Sequence, residues 1–414
     1  MAIVSTFSNA LRGSAEVDYS DAASGDTNGK PWWEGGRWCS IITDGLPSYQ
    51  DQEAIIFPAG HGGDRRVNQQ VPVVGRKWSE GDFSAPVVHD FLGLLLYAAM
   101  GNASSNGIPT GGTATTASLL ENGIITGTTS ISLAKQPANG GAILRFNVKN
   151  GGNGTISISG LDAQGVGASE LISVASGNGL VYSRNSYSAI NLISYQGFTN
   201  ANVQIQGYTG WTHTFSTASS CPTLSFETIG TPTAGNASAN KSRLSPGNVL
   251  KELTLTTDAE AVDGLFMVQA SFEGAPTATC TAASLHSPSQ LKIWPSWGLK
   301  IRRDNGTVWN KVTNFTLNVA TGNRNYRSAA GVQGPQGVFF GPQEFTGDVA
   351  ILVDDELEYD KWVNASEIQM HALWTSPWKL SATGTASYMQ LSASVPAYLE
   401  NVQVTDTDSA YSLT

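Results

Sequence analysis

Charge is scarce in this chain: Asp, Glu, Lys and Arg make up 14% of its 414 residues, against roughly 25% in ordinary soluble domains. The charge it has leans acidic, with 33 Asp and Glu against 23 Lys and Arg, a net −10. Proteins that grip nucleic acid through its phosphates carry a basic excess, so that class is disfavoured. An acidic wall past which DNA slides remains compatible, because it repels phosphate. The three cysteines, Cys39, Cys221 and Cys280, are far apart and odd in number. They give neither a disulfide framework nor a zinc spacing, and they read as buried free thiols. The longest apolar run, Leu92–Met100, falls far short of the roughly 20 residues of a membrane span. The opening MAIVSTFSNALRGSAEV has neither a basic n-region nor a long apolar core, so the expectation is synthesis inside a cell without a secretion signal.

Catalytic patterns are also missing. His61, His89, His213, His286 and His371 share no ligand spacing, and no G-x-S-x-G, H-E-x-x-H, complete Walker loop or helix-opening G-x-G-x-x-G occurs. GDTNGKP at 25–31 lacks the leading glycine and the hydroxyl after Lys30 of a phosphate loop, and reads as a turn. A triad or carboxylate pair assembled from distant residues has no positive support. No cofactor or metal is expected.

What is present is glycine (45), hydrophobic residues (40%) and 11 tryptophans, which favour short strands joined by tight turns over disorder. The length suits two or three domains. The chain is organised around WSEGDFSAPVVHDFLGLLLYAAMG, Trp78 to Gly101. It reads as a strand with Phe83 and Val87 on one side, then an apolar helix over Phe91–Met100. Asp90 is placed to cap the helix and Gly101 to stop it. A helix apolar nearly all round is buried, by its own domain or by a partner subunit. EFTGDVAILVDDELEYDKWVNA, Glu344 to Ala365, repeats the strand, acidic cap and helix and suggests two related halves. Its acids Asp354, Asp355 and Glu356 read as caps or solvated charge at a helix start.

Around these stretches we divide the chain into an N-terminal arm (1–36), docking through Trp32, Trp33 and Trp38, and a first core part (37–112) that ends in a linker from Ala103 to Gly112. An inserted module (113–208) follows. Its alternating pairs Ile131/Leu133, Phe146/Val148, Ile156/Ile158 and Val203/Ile205 recur with turns between them, the pattern of a β-sandwich of immunoglobulin-like size. A second core part (209–274) contains Leu224–Glu227 and a hairpin, Leu253–Thr256 with Phe266–Phe272, around the acidic turn 256–265. An irregular insertion (275–308) carries Trp294 and Trp297, which either stack on a sugar or plug a core; core is the favoured reading. The third core part (309–414) holds Phe315, Leu317 and Val319 on one strand face, a glycine-rich loop 331–341, strands at Met370–Thr375 and Tyr388–Val395, and a loosely held polar tail. The fold class expected is mainly β.

Taken in order, the strand running into LGLLLYAAMG, then LSFE, VLKELTLTTDAEAVDGLFMVQASFEG, VTNFTLNV, EFTGDVAILVDD and VPAYLENV resemble the major tail tube proteins of long-tailed, siphovirus-like bacteriophages. Separately, ISISGLDAQGVGASELISV resembles the immunoglobulin-like inserts of phage virion proteins. The resemblance implies a β-sandwich subunit that closes into hexameric rings, with one sheet of each copy joining a β-barrel around a lumen. It implies rings stacked as a polymer on a tape-measure protein, meeting tail terminator and baseplate proteins, with double-stranded DNA passing without tight binding. The location implied is the virion tail, the protein being made in the bacterial cytoplasm. Candidate oligomer contacts are Phe91, Leu92, Leu95 and Leu96 of the helix, Asp258, Glu260 and Asp263 of the acidic turn, and Gly334 and Phe339 of the glycine-rich loop. Asp354, Asp355 and Glu356 are candidates for an acidic lumen or for caps. The rivals are a carbohydrate-binding adhesion module using Trp294, Trp297 or Trp32, a secreted polysaccharide hydrolase, and a ring protein joining tube to baseplate.

Overall fold

The computed structural model describes residues 10–15, 39–41, 50–56, 73–109, 119–133, 135–137, 142–162, 165–174, 179–229, 242–259, 264–280, 292–303, 307–309, 312–327, 334–352, 363–379, 388–397, 402–405 and 410–413. Alternating apolar and polar residues make most of these segments strands. β1 (Ala10–Ala15), β2 (Cys39–Ile41) and β3 (Gln50–Ile56) precede β4 (Val73–Pro86), which leads into α1 (His89–Met100). β5 (Gly101–Pro109), β6 (Leu119–Ile131), β7 (Ala142–Lys149), β8 (Gly154–Asp162) and β9 (Gly167–Val174) follow, then the 39-residue β10 (Gly179–Thr217). Next come β11 (Leu224–Ile229), β12 (Ser242–Asp258), β13 (Phe266–Gly274), β14 (Ala278–Cys280), β15 (Leu299–Arg303) and β16 (Thr307–Trp309). The described chain closes with β17 (Val312–Ala320), β18 (Arg324–Tyr326), β19 (Gly337–Phe339), β20 (Glu344–Leu352), β21 (Ile368–Lys379), β22 (Tyr388–Ala397), β23 (Val402–Thr405) and β24 (Ala410–Leu413).

A 12-stranded antiparallel sheet dominates, and its long strand β12 serves two neighbourhoods. The first part of β12 pairs with β11 and β14, and the second part with β13 and β17. A 4-stranded sheet, β16-β15-β21-β22, shares a hydrophobic core with it. Phe83 and Ala85 of β4, Leu253 and Leu255 of β12, Val268 and Ala270 of β13, and Phe315, Leu317 and Val319 of β17 point into that core. Ile301, Ala372 and Trp374 meet them from the smaller sheet. Trp374 stacks on Phe266 with centroids 4.9 Å apart and takes Phe315 edge-on at 5.3 Å. Large rings therefore bridge the two layers, where aromatic pairs add to plain area burial.

α1 packs on the same core, and Phe91, Leu92, Leu94 and Leu95 are all buried within their own chain. Its N-cap is Val88, with extended backbone and no side-chain cap bond, so Asp90 lies inside the first turn and not at the cap. Val87 N–H donates to the Phe266 carbonyl at 2.8 Å, so tertiary pairing holds the chain extended as far as Val88, and the helix follows at once, with Leu92 N–H donating to the Val88 carbonyl at 2.9 Å. Gly101 does end the helix in the left-handed region, φ 88°, with its N–H donating to the Tyr97 carbonyl. A Cβ there would run into the Ser220 carbonyl oxygen and sit 3.2 Å from Cys221 Sγ. Gly101→Ala is expected to cost about 2 kcal/mol through positive φ and crowding together. A urea midpoint unchanged from wild type would contradict this account.

Residues 103–109, expected as linker, are strand: β5 pairs with the end of β10 from Gly101↔Thr217 to Tyr208↔Pro109. Pairing across this ribbon overrides the local Ser/Asn/Gly composition. Beyond it lies a second core built from residues 125–205. There β9, β8, residues 187–196 of β10 and residues 129–131 of β6 form one layer. Residues 179–187, β7, residues 202–208 and the first part of β6 form the other. β6 and β10 pass from layer to layer at register shifts around Phe198, as strands do at the corners of packed sheets. β9 is an edge strand of this sheet. Burial and the nearby Glu170 carboxylate push the fully buried Tyr187 hydroxyl far up, so it stays protonated at any physiological pH.

Other expectations are corrected in the same way. The stretch 275–308 is not irregular throughout, because Leu299–Arg303 pairs with β21 and buries Ile301. The loop 331–341 contains β19, which pairs with β18. The polar tail contributes β23 and β24, the latter paired with β20, and the arm contributes β1, paired with β11. β1, β15 and β24 are short segments whose partners are distant in sequence, while β19 is the return strand of a short local hairpin with β18.

Candidate assembly surface

The hairpin of β12 and β13 closes with Thr257 opposite Phe266. It stands in the middle of the order β4-β13-β12-β17-β20. Side chains alternate across these strands, so reading the register across the sheet gives its two faces. Ala85, Val268, Leu255, Leu317 and Gly347 lie in one row, and Phe83, Ala270, Leu253, Val319 and Phe345 in another, both on the core side. The rows between and beside them lie on the other face, where Pro86 at one corner is buried. One is Asp82, Ser271, Glu252, Ala320 and Glu344; the next is Ser84, Gln269, Thr254, Asn318 and Thr346; the third is Pro86, Met267, Thr256, Thr316 and Asp348.

No lysine or arginine stands in these outward rows. Asp82, Glu252, Glu344 and Asp348 are exposed, and the positions around them are chiefly hydroxyls and amides. Thr254 Oγ1 donates to Asn318 Oδ1 at 3.3 Å across the strands. The opposite side of the sandwich differs in sign: Lys300 and Arg302 are exposed on β15, and His371 on the neighbouring β21 hydrogen-bonds Ser394 at 2.7 Å.

Both long edges of this central sheet are open among the described residues. β4 pairs with β3 only from Val73 to Glu80, so Asp82–Pro86 has β13 alone. β20 pairs with β24 only from Val349 to Leu352, so Glu344–Asp348 has β17 alone. A half-paired strand is a template for another strand. The two stretches that repeat one another in sequence thus supply the two open edges.

The two ends of the sheet carry different chemistry. At one end Arg327 pairs with Glu273 and lies over the Trp78 ring at 4.6 Å, while Lys251 reaches Glu273 at 3.2 Å and Trp78 Nε1 donates to Glu80 at 2.9 Å. This network holds the β18–β19 hairpin, where Tyr326, Phe339 and Phe340 are exposed. At the other end Ser296 N–H donates to the Gly264 carbonyl at 2.8 Å. That bond sets the Ser296–Gly298 turn, with Trp297 73% exposed, beside the close of β12 and β13.

Of the residues singled out in the sequence, Phe91, Leu92 and Leu95 belong to the core of their own chain, and Leu96 is half-buried. Asp258 ends β12 half-exposed, Gly334 is half-buried against Pro276, and Phe339 is exposed. Glu260, Asp263, Asp354, Asp355 and Glu356 lie outside the described residues, as do Trp32, Trp33 and the helix expected after β20. The tryptophan pair divides: Trp294 is core and Trp297 is surface. Cys221 is a half-buried free thiol beside the end of α1, and burial raises its pKa. Within single strands, acids at even spacing in Glu80–Asp82 and Glu344–Asp348 are a period-2 signal for one face, and only the cross-strand registers join them into acidic rows.

Among the described residues no group of three His, Cys, Asp or Glu is placed to hold a metal ion, and no helix is long and apolar enough to cross a membrane. Among the described residues the arrangement is that of an antiparallel β-sandwich with half-paired edge strands and a polar outer face. A sequence model of the phage tail tube protein family matches residues 62–412. The chain belongs to that family and is a structural component of a bacteriophage tail. No curated protein matches it significantly.

Proposed function

We propose that this chain is the major tail tube subunit of a long-tailed, siphovirus-like phage. Its copies close into hexameric rings that stack around a channel for double-stranded DNA, with no catalytic step. The observation that carries this reading is the central sheet, with open edges at Asp82–Pro86 and Glu344–Asp348. Joining β4 of one copy to β20 of the next removes both edges and closes a barrel. Turning the rows of Asp82, Glu252, Glu344 and Asp348 inward lines the lumen with fixed negative charge, which repels phosphate and lets DNA slide. The tape-measure protein fills the lumen before DNA does, and terminator and baseplate proteins cap the polymer. Residues 113–208 are an immunoglobulin-like sandwich held outside the tube wall by the β5–β10 ribbon. Assembly takes place in the bacterial cytoplasm.

Electron microscopy of the full-length protein at high concentration, beside virions, tests this. Stacked rings with a central channel are the expected result. Virion tails built from a different protein would overturn it.

A further inference from the structure

We propose that copies of this chain stack head to tail through the two ends of the β12–β13 hairpin. An arginine-bearing aromatic hairpin on one copy docks against an aspartate and a tryptophan on the next. The proposal rests on the ring reading above and specifies its axial contact. At the first end Thr321 N–H donates to the Lys251 carbonyl at 2.9 Å and Arg327 pairs with Glu273, so β18 and β19 sit where β12 enters the central sheet and β13 leaves it. Tyr326 and Phe339 meet edge to face at 5.1 Å, with Arg324 over the Phe339 ring at 5.5 Å. Phe339 is 52% exposed and Phe340 44%. Neighbouring exposed aromatics of this kind mark an interaction surface.

The second end lies beyond Asp258, about 23 Å from Lys251 at the rise of an extended strand. There the Ser296–Gly264 hydrogen bond puts exposed Trp297 beside the turn that follows Asp258. The two ends complement each other. Arg324 can meet the Asp258 carboxylate, and its guanidinium can lie on an indole face, the aromatic surface that holds cations best. Pairing like ends would set Arg324 against its own copy, which disfavours a head-to-head contact. A surface that matches a different surface of the same chain makes a heterologous contact, and such contacts propagate as filaments.

The test uses the full chain with Arg324→Glu, with Tyr326→Ser plus Phe339→Ser, and with Arg324→Glu combined with Asp258→Arg. All of these positions are at least partly exposed, and circular dichroism checks the fold. Sedimentation and electron microscopy are expected to show rings that persist while the concentration needed for stacking rises by about tenfold or more. The charge swap is expected to recover most of that loss. Variant rings that stack like wild type, or a swap that recovers nothing, overturn the contact. Should the isolated protein form no rings, the same variants are read in virions. Tails in wild-type number then overturn the contact, and their loss with recovery in the swap supports it. A virion tail lacking this chain overturns the ring reading itself.

Discussion

On the ring reading proposed above, lysine at Glu252, Glu344 and Asp348 is expected to turn a tube that releases DNA into one that holds it. The three carboxylates are exposed on the outward face of the central sheet, on β12 and β20. Surface changes of this kind alter stability by only about 0.5 kcal/mol, so the fold and the rings should survive. Each site moves from −1 to +1, and the change repeats in every copy along the channel. Phosphate neutralisation releases counterions, and the affinity gained falls with salt by a log–log slope of about 0.9 per phosphate contacted. Variant tubes are therefore expected to retain double-stranded DNA at low salt and release it at high salt, while wild-type tubes retain none at either. In phage the same changes should leave tails assembled but cut DNA delivery, with infectivity falling by about a hundredfold, because phosphate contacts now accumulate along the DNA path. Normal infectivity together with no DNA retention would show that this face does not line the channel.

Trp374→Ala is expected to be the most damaging single core substitution, at about 3–5 kcal/mol. Trp374 is 1% exposed and lies between Phe266 and Phe315 of the larger sheet, with Leu299 and Leu391 paired to it on either side in its own. Truncation would empty the space that joins the two layers, and few neighbours could move in, because both sheets are fixed by ladder pairing. Against a typical total stability of about 5–15 kcal/mol, this leaves little margin. Its indole Nε1 is buried with no hydrogen-bond partner among the described residues. Trp374→Phe therefore loses no bond and is expected to cost only about 1 kcal/mol. Urea denaturation of the two variants side by side checks the account. Equal losses would mean that ring volume at this position does not hold the layers together.

The sequence reveals those parts of the fold where pattern and pairing act locally. Phe315, Leu317 and Val319 alternate over one strand, and the β12–β13 hairpin joins neighbouring runs, so both could be read directly. α1 was legible in type and in its Gly101 stop. Its start was not, because Val87 stays extended through a bond to Phe266, far along the chain. The same reason hides β5, β15 and β24, short or polar segments that become strands only when a distant partner lies beside them. The acidic face was half-visible as spacing within single strands. That Asp82, Glu252 and Glu344 share a row follows only from four cross-strand registers, and registers are set by tertiary packing. The nearly all-round apolarity of the helix leaves burial by its own domain or by a partner subunit equally open from sequence, and its own sandwich accounts for most of that burial.

The ribbon at Gly101 and Thr217 carries one more consequence. The chain leaves the sandwich and returns to it on paired neighbouring residues, whose Cα atoms in an antiparallel ladder are about 5 Å apart. Whatever lies between them is therefore nearly costless to exchange: a short turn could close the gap, and so could a different domain, since the closure entropy of a loop grows only slowly with its length. Such a joint lets the segment between its two ends be replaced while the sandwich keeps its own strand pairing, and it marks the natural place to graft a foreign domain.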